Sequence, residues 1–133
     1  MKATALLRAR IALACGLSFA AGGAWAHHSF AQFDADKTME IQGTVKDFTW
    51  TNPHVWIDMT VTNAAGVPQQ WGLESQSVGI LYRGGWKPDS LKAGDKVTVQ
   101  IHPMRDGTNG GQVMKVTFPD GRVLLTGMAR PNP

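Results

Sequence analysis

The residues of this chain best suited to metal chemistry are its four histidines, His27, His28, His54 and His102. A histidine that becomes the first residue of a processed chain offers its α-amine and its ring Nδ1 to the same ion, and His27 is the candidate for this position. Because all-nitrogen sites bind copper(II) most tightly among the first-row divalent ions, copper is the expected metal, with zinc as the alternative. Met104, two residues after His102, adds a soft ligand for copper(I).

These histidines also have an interpretation without a metal. No spacing among them matches a zinc-binding signature. Adjacent histidines near a terminus and single histidines at strand ends commonly stay solvated or form hydrogen bonds. Metal binding and hydrogen bonding therefore both stay open at this point.

A second group of residues predicts a ligand-binding face. Trp56 falls on the polar side of a predicted strand, about 6.6 Å along it from His54, where an exposed indole can stack on a sugar ring or a base. Trp50 and Asn52, in the preceding loop, complete the predicted face with His54. Packing of Trp56 under the residues that precede the domain is the alternative.

The acidic residues predict little acid–base chemistry. Asp34 and Asp36 lie in a turn-like segment. His54 and Asp58 share a strand face, but the strand between them spans about 13 Å, which is too far for direct proton transfer. Since no serine lies in a nucleophile elbow and no glycine-rich segment resembles a phosphate loop, we predict no catalytic residue.

The first 26 residues have the composition of a secretory signal peptide. Lys2, Arg8 and Arg10 precede an uncharged stretch, and Ala24-Trp25-Ala26 places small residues where a signal peptidase reads them. We predict cleavage after Ala26 and export to the periplasm. The uncharged stretch is shorter than the roughly 17 to 25 residues of a membrane-spanning helix, so no span is expected after cleavage. Lipoprotein processing at Cys15 is the alternative.

Processing changes the charge balance and thereby the expected ligand. The full chain carries 13 basic and 10 acidic residues. The predicted leader holds three of the basic residues and none of the acidic ones, so the remaining 107 residues have a formal net charge of zero. Because nucleic-acid binding relies on an excess of positive charge, we predict no nucleic-acid partner. The leader also holds the single cysteine, which excludes a thiol nucleophile and cysteine-ligated zinc.

The pattern of apolar residues predicts an all-β domain. Alternation with a period of two marks strands around residues 41–45, 55–61, 67–74, 97–101 and 114–118, with a sixth after a turn at 119–122. On this pattern Met114, Val116 and Phe118 share the buried face. A β-bulge is expected near Phe48, and a short helix capped by Ser77 is expected between the third and fourth strands.

This order of elements fits a five- to six-stranded Greek-key barrel of the oligonucleotide/oligosaccharide-binding (OB) type, with one short helix between strands 3 and 4. We assign a flexible N-terminal lead to residues 27–38, the barrel to residues 39–127 and a tail to residues 128–133. In such a barrel the loop before strand 2 and the loop after strand 4 frame the ligand face, so His54 and His102 fall at the same end. A β-sandwich, or a meander capped by the helix, is the competing architecture.

Several motifs of the chain resemble a known family. They are His27-His28-Ser29-Phe30, Gly43-Thr44-Val45, Trp50-Thr51-Asn52-Pro53-His54-Val55-Trp56 and Leu91-Lys92-Ala93-Gly94-Asp95. Together they resemble a family of small exported bacterial proteins classed as a domain of unknown function, over essentially the whole chain after the leader. The resemblance implies export and a compact β-rich domain, and it implies no particular activity. Arg83-Gly84-Gly85-Trp86 departs from the Arg-Arg-Gly-Trp of that family.

Three functions are compatible with these residues. The leading hypothesis is a periplasmic binding protein without turnover, whose ligand is a small molecule or a metal ion held by the histidines and tryptophans named above. The second is a copper-dependent oxidative enzyme with an N-terminal histidine brace, which needs His27 unblocked and a further histidine beside an open coordination position. The third is a structural protein of the cell envelope that binds a protein partner and no metal.

Overall fold

The computed structural model describes residues 30–127. The predicted leader, His27 and His28, and the predicted tail at 128–133 lie outside the described residues, so the statements made for them stay predictions. Within residues 30–127, no helix combines the length and the apolar character needed to cross a membrane.

The described part of the chain forms six strands and one short α-helix. The strands are β1 (Met39–Thr49), β2 (Trp56–Thr62), β3 (Pro68–Glu74), β4 (Lys96–Pro103), β5 (Gly110–Thr117) and β6 (Val123–Leu125). The helix α1 spans Val78–Arg83, and a 3-10 turn spans Phe30–Gln32. The helix therefore lies between the third and fourth strands, as the sequence predicts.

The strands close into a five-stranded barrel. Antiparallel pairings join β3 to β2, β2 to β1, β1 to β4 and β4 to β5. A parallel pairing of β3 with β5 closes the barrel, and β6 extends the sheet beyond β5. This strand order, with the helix between β3 and β4, confirms the predicted all-β barrel of OB type.

The apolar side of each strand fills the interior, as the alternation predicts. The fully buried side chains include Ile57 and Met59 of β2, Leu73 of β3, and Val99 and Ile101 of β4. Burying a side chain of this size stabilises the folded chain by about 1.5 to 3 kcal/mol relative to leaving it in water. A slip of one residue would expose the whole set, so the register of these strands is strongly specified.

Two β-bulges interrupt this alternation. In β1 the extra residue is Lys46, which confirms the bulge predicted near Phe48. In β5 the extra residue is Met114, and there the predicted alternation is wrong, because Val113 is buried whereas Met114 is only half-buried. A bulge adds one residue to one strand, so the buried face changes from one parity to the other across it.

The helix is capped by a residue other than the predicted one. Ser77 precedes the helix, but its side chain makes no capping hydrogen bond. The backbone N–H of Val78 donates instead to Oδ1 of Asn52, over 3.2 Å. Asn52 therefore ties the loop between β1 and β2 to the start of the helix.

The second part of the predicted lead is bonded to the loop that follows β4. Phe33 is buried and forms an isolated β-bridge with Met104. The backbone N–H of Arg105 donates to the carbonyl oxygen of Gln32 over 2.9 Å. We call residues 32–37 the strap. The sequence holds no local pattern that predicts these bonds, because the backbone partners of the strap lie far away along the chain.

Candidate ligand-binding site

Four side chains from four strands form a row across the outer face of the barrel. Trp56 of β2 pairs with Glu74 of β3. Glu74 also pairs with Gln112 of β5, which in turn pairs with His102 of β4. Directly paired residues project to the same face of a sheet, and both neighbours of Trp56 in the chain are buried, so the row lies outside.

Glu74 is the buried acidic residue of this row. Its side chain is 3% exposed, and each carboxylate oxygen has a partner. Nδ1 of His54 lies 2.6 Å from Oε1, and Nε2 of Gln32 donates to Oε2 over 3.1 Å. Moving a carboxylate out of water costs several kcal/mol unless charged or hydrogen-bonding groups replace the water. Here a histidine and an amide from two other segments supply those groups.

His54 reaches Glu74 because the pairing of β2 with β3 continues beyond the two strands. The backbone N–H of Val55 donates to the carbonyl oxygen of Gln76, and the N–H of Ser75 donates to that of Val55. A carboxylate oxygen only accepts, so Nδ1 of His54 donates this hydrogen bond. The His54 side chain is 23% exposed, so it connects the buried carboxylate with the surface.

A cleft of about 170 Å³ opens beside Glu74. Its lining comes from the strap, from β2, β3 and β5, and from the loop between β4 and β5. The lining residues are Gln32, Phe33, Trp56, Gly72, Glu74, Met104, Thr108, Asn109, Gly110 and Gly111. The cleft therefore combines an indole that is 40% exposed with a buried carboxylate, two amides and a hydroxyl.

Two consecutive glycines let β5 approach its neighbours at this cleft. A Cβ atom on Gly111 would lie 2.7 Å from the carbonyl oxygen of His102, and one on Gly110 would lie 3.0 Å from that of Gly72. Gly72 differs, because the nearest atom to its own Cβ would be Oδ1 of Asp58, at 3.7 Å. The first two positions need glycine for close contact, whereas Gly72 leaves an open surface on β3.

Two carboxylates stabilise the strap and the loop between β4 and β5. Oδ1 of Asp106 accepts hydrogen bonds from the backbone N–H and the hydroxyl of Thr108, over 3.0 and 2.7 Å, and these bonds lower the pKa of Asp106. In the strap, Nζ of Lys37 lies 3.1 Å from Oδ2 of Asp34. This hydrogen bond, with a further contribution from the charge of Arg105, lowers the pKa of Asp34. Both acidic groups thus stabilise segments that line the cleft.

Comparison with known protein families gives one match that includes the whole cleft. Residues 14–114 match a family of unknown function, DUF6152. The chain belongs to the DUF6152 family. This confirms the prediction of a domain of unknown function. A comparison with curated proteins gives no match.

In this DUF6152 protein the predicted ligand-face residues separate into two groups. Trp56 lines the cleft, and His54 contacts the buried carboxylate. Among the residues that the structure describes, the lining of the cleft does not include Trp50 or Asn52. The ring of Trp50 packs at the edge of the core, with its centroid 5.8 Å from that of Phe48, and Asn52 caps the helix. Proximity to His54 in the chain does not bring these two side chains to the cleft, because the loop directs them to the core and the helix.

The metal ligands predicted for this DUF6152 protein are described only in part. Met104 lines the cleft, and Nδ1 of His102 donates to the carbonyl oxygen of Lys37 over 2.6 Å. Residues 30–127 contain no group of three or more His, Cys, Asp or Glu side chains placed to hold an ion. His27 and His28 precede that range, so the copper site that includes them stays a prediction.

Glu74 and Gln32 are two site residues that no sequence motif indicates. Glu74 ends a strand, and nothing in the alternation of β3 predicts its burial. The turn between β2 and β3 does, however, allow the position of Glu74 opposite Trp56 to be predicted. Asn63 pairs with Val67, so seven steps outward along each strand place Trp56 opposite Glu74. No such signal exists for Gln32, because the strap and β3 are joined only by folding.

Proposed function

We propose that this protein is an exported binding protein that holds a small ligand in the cleft beside Trp56, without turning it over. The observation that carries the proposal is the buried carboxylate of Glu74 in the lining of an open cleft, next to an exposed indole. Small-molecule sites combine apolar walls with a few polar groups that fix orientation. The cleft is smaller than the roughly 300 Å³ of a typical drug-sized site, so it suits a single ring or a group of similar size.

The contacts of Glu74 support a role in recognition. His54 and Gln32 hold the carboxylate in one position and offset the cost of its burial. A ligand therefore meets an acceptor that needs no further ordering, which reduces the entropy lost on binding. The flat, rigid indole of Trp56 adds apolar contact area at low conformational cost.

The charges on this face support an uncharged or cationic ligand. Asp47 of β1 pairs with Asp58 of β2, which shares the outer face with Trp56. Glu74 adds a third carboxylate to the same face. Phosphate chains bind to surfaces rich in lysine and arginine, so these carboxylates disfavour nucleic acid, in agreement with the net charge expected after processing.

Export is the second part of the proposal. It is supported by the basic start of the chain, by the uncharged stretch that follows, and by the small residues in Ala24-Trp25-Ala26. The periplasm is the destination that we infer from this leader.

NMR titration tests the ligand site. The protein, expressed from the full chain and labelled with 15N, is titrated with a panel of monosaccharides, sugar alcohols, amino acids and quaternary amines. We expect one class to shift the backbone signals of Trp56, Glu74 and Asn109. Trp56→Ala should weaken that binding at least about tenfold, whereas Tyr82→Ala, which removes an exposed ring on α1, should not.

Two results of this titration contradict the proposal. The first is a panel in which no member produces a saturable shift. The second is binding that Trp56→Ala leaves unchanged or that maps to another face of the barrel.

Copper binding is the second candidate function, and the two internal histidines favour it. Nδ1 of His54 donates to a carboxylate, and Nδ1 of His102 donates to a backbone carbonyl. Metal-binding histidines usually make such a bond with one ring nitrogen and bind the ion with the other, which here is Nε2. Met104, in the cleft lining, is a soft donor that suits copper(I).

Calorimetric titration with copper(II) tests this second candidate, with zinc(II) as the competing ion. Sub-micromolar binding that weakens in both His54→Ala and His102→Ala supports a copper site. Absence of sub-micromolar binding rejects it, as does binding that neither substitution changes.

A further inference from the structure

The cleft beside Trp56 adjoins a second depression on the outer surface of the barrel. This second depression, of about 510 Å³, is lined by Lys46, Asp47, Asp58, Gln70, Trp71 and Gly72. Gly72 lines both depressions. We call the two depressions together the groove.

The pairing of the strands sets the course of the groove. Trp56 and Asp58 are alternate residues of β2, about 6.6 Å apart along the strand, and their partners on β3 are Glu74 and Gly72. Asp47 of β1 lies beside Asp58. The groove therefore begins at the indole of Trp56 and the buried carboxylate of Glu74. It crosses Gly72, which has no side chain, and ends at the carboxylates of Asp47 and Asp58.

The groups along the groove suit rings that carry many hydroxyls. An indole packs against the apolar face of a ring, and carboxylates accept hydrogen bonds from hydroxyl groups. The amides of Gln32, Asn109 and Gln70 both donate and accept, as a hydroxyl does. A polyanion would meet three carboxylates here, and a polycation would meet Lys46 in the second depression.

We propose that the groove binds an uncharged oligosaccharide of more than one ring. One ring packs on Trp56 beside Glu74, and the following ring crosses Gly72 toward Asp58. This inference rests on the proposed binding function of the cleft and adds to it the chemical class and the length of the ligand.

Gly72 offers a direct structural test, because a side chain there narrows the passage between the two depressions. A Cβ atom at this position has only ordinary contacts, so Gly72→Ala is compatible with the fold. Gly79→Ala on α1 is the matched control, since its Cβ would also have its nearest neighbour at 3.7 Å and lies on the helix. Thermal unfolding followed by circular dichroism checks that each variant is folded.

Isothermal titration calorimetry then compares mono-, di- and tetrasaccharides of glucose and of N-acetylglucosamine. We expect the tetrasaccharide of one series to bind at least about tenfold more tightly than its monosaccharide. Trp56→Ala should weaken the binding of every length. Gly72→Ala and Asp58→Asn should weaken the tetrasaccharide at least about fivefold and the monosaccharide less than about twofold, and Gly79→Ala should change neither.

The possible outcomes separate this inference from the proposed function. If a monosaccharide binds beside Trp56 and chain length has no effect, the extended ligand is wrong and the binding function stands. If other small molecules bind in the cleft and no saccharide does, the chemical class is wrong and the binding function again stands. If nothing binds in the cleft, both are wrong. A single-stranded oligonucleotide is the polyanionic control, and tighter binding of it than of any saccharide overturns the inference.

Discussion

Nδ1 of His54 lies 2.6 Å from Oε1 of Glu74, across the open end of the hairpin that β2 and β3 form. The contact joins a partly exposed ring to a carboxylate that is almost fully buried. Because that carboxylate lines the cleft, the same pair affects the stability of the barrel and the chemistry of the proposed site.

Removal of the His54 ring is expected to destabilise the protein. His54→Ala should lower the free energy of unfolding by about 2 kcal/mol, because it leaves a buried carboxylate without its imidazole partner. Glu74→Gln should cost less, because its amide oxygen still accepts from Nδ1 and no charge is buried. Urea unfolding of both variants and of the double variant measures the coupling between them. A coupling energy of zero would show that the contact contributes nothing.

The glycines at the cleft should differ sharply in their tolerance of alanine. Gly111→Ala is expected to cost about 1 to 3 kcal/mol, because its Cβ would overlap the carbonyl oxygen of His102. Gly72→Ala should change the free energy of unfolding by less than about 0.5 kcal/mol. Chemical unfolding measures both values. Equal costs at the two positions would contradict the close approach of β5 to β4.

Two buried hydroxyls should give effects of opposite sign. Oγ1 of Thr126 donates to the carbonyl oxygen of Val113 over 2.6 Å, whereas Oγ of Ser75 has no hydrogen-bond partner among residues 30–127. Ser75→Ala is therefore expected to raise the free energy of unfolding by about 1 kcal/mol, and Thr126→Val to lower it by about 1 kcal/mol. Urea unfolding is the measurement. A destabilising effect of Ser75→Ala would mean that the hydroxyl is paired in solution.

Asp34, in the strap, should make the stability of the folded protein depend on pH in the acidic range. The hydrogen bond from Lys37 lowers the pKa of this carboxyl in the folded state, while its pKa in the unfolded chain is about 3.9. The resulting stabilisation is present above the unfolded-state pKa and is lost as the pH falls through the lower pKa of the folded state. Lys37→Met should raise the pKa of Asp34 toward its ordinary value, and Lys87→Met should not. NMR titration of the Asp34 carboxyl carbon measures this, and an identical titration in Lys37→Met and the wild type would contradict the assignment.

The leader can be tested by the mass of the exported protein. Expression of the full chain in a bacterium with a periplasm is expected to yield a periplasmic protein that begins at His27. Ala26→Arg should leave the leader attached, because a signal peptidase needs a small residue there. Cys15→Ser should have no effect on the product. A lipid-modified product that begins at Cys15 would favour the lipoprotein alternative.

The sequence alone determines the order of elements and, in the strands without an unforeseen bulge, the face that is buried. The alternation in β2 and β4 puts Ile57, Met59, Val99 and Ile101 inside, and the turn that begins at Asn63 sets the pairing of β2 with β3. These features are readable because each depends on residues close together in the chain. Burial of each apolar side chain then favours the same register that the local pattern specifies.

The tertiary structure alone decides which polar residues form the candidate site. Glu74 is buried because Gln32 and His54, from two other segments, replace the water that a carboxylate would otherwise keep. The bulge at Met114 and the inward packing of Trp50 likewise depend on neighbours across the barrel. These interactions join segments that are far apart in the chain, so they produce no periodic pattern in the sequence. The cleft therefore forms only when the barrel closes.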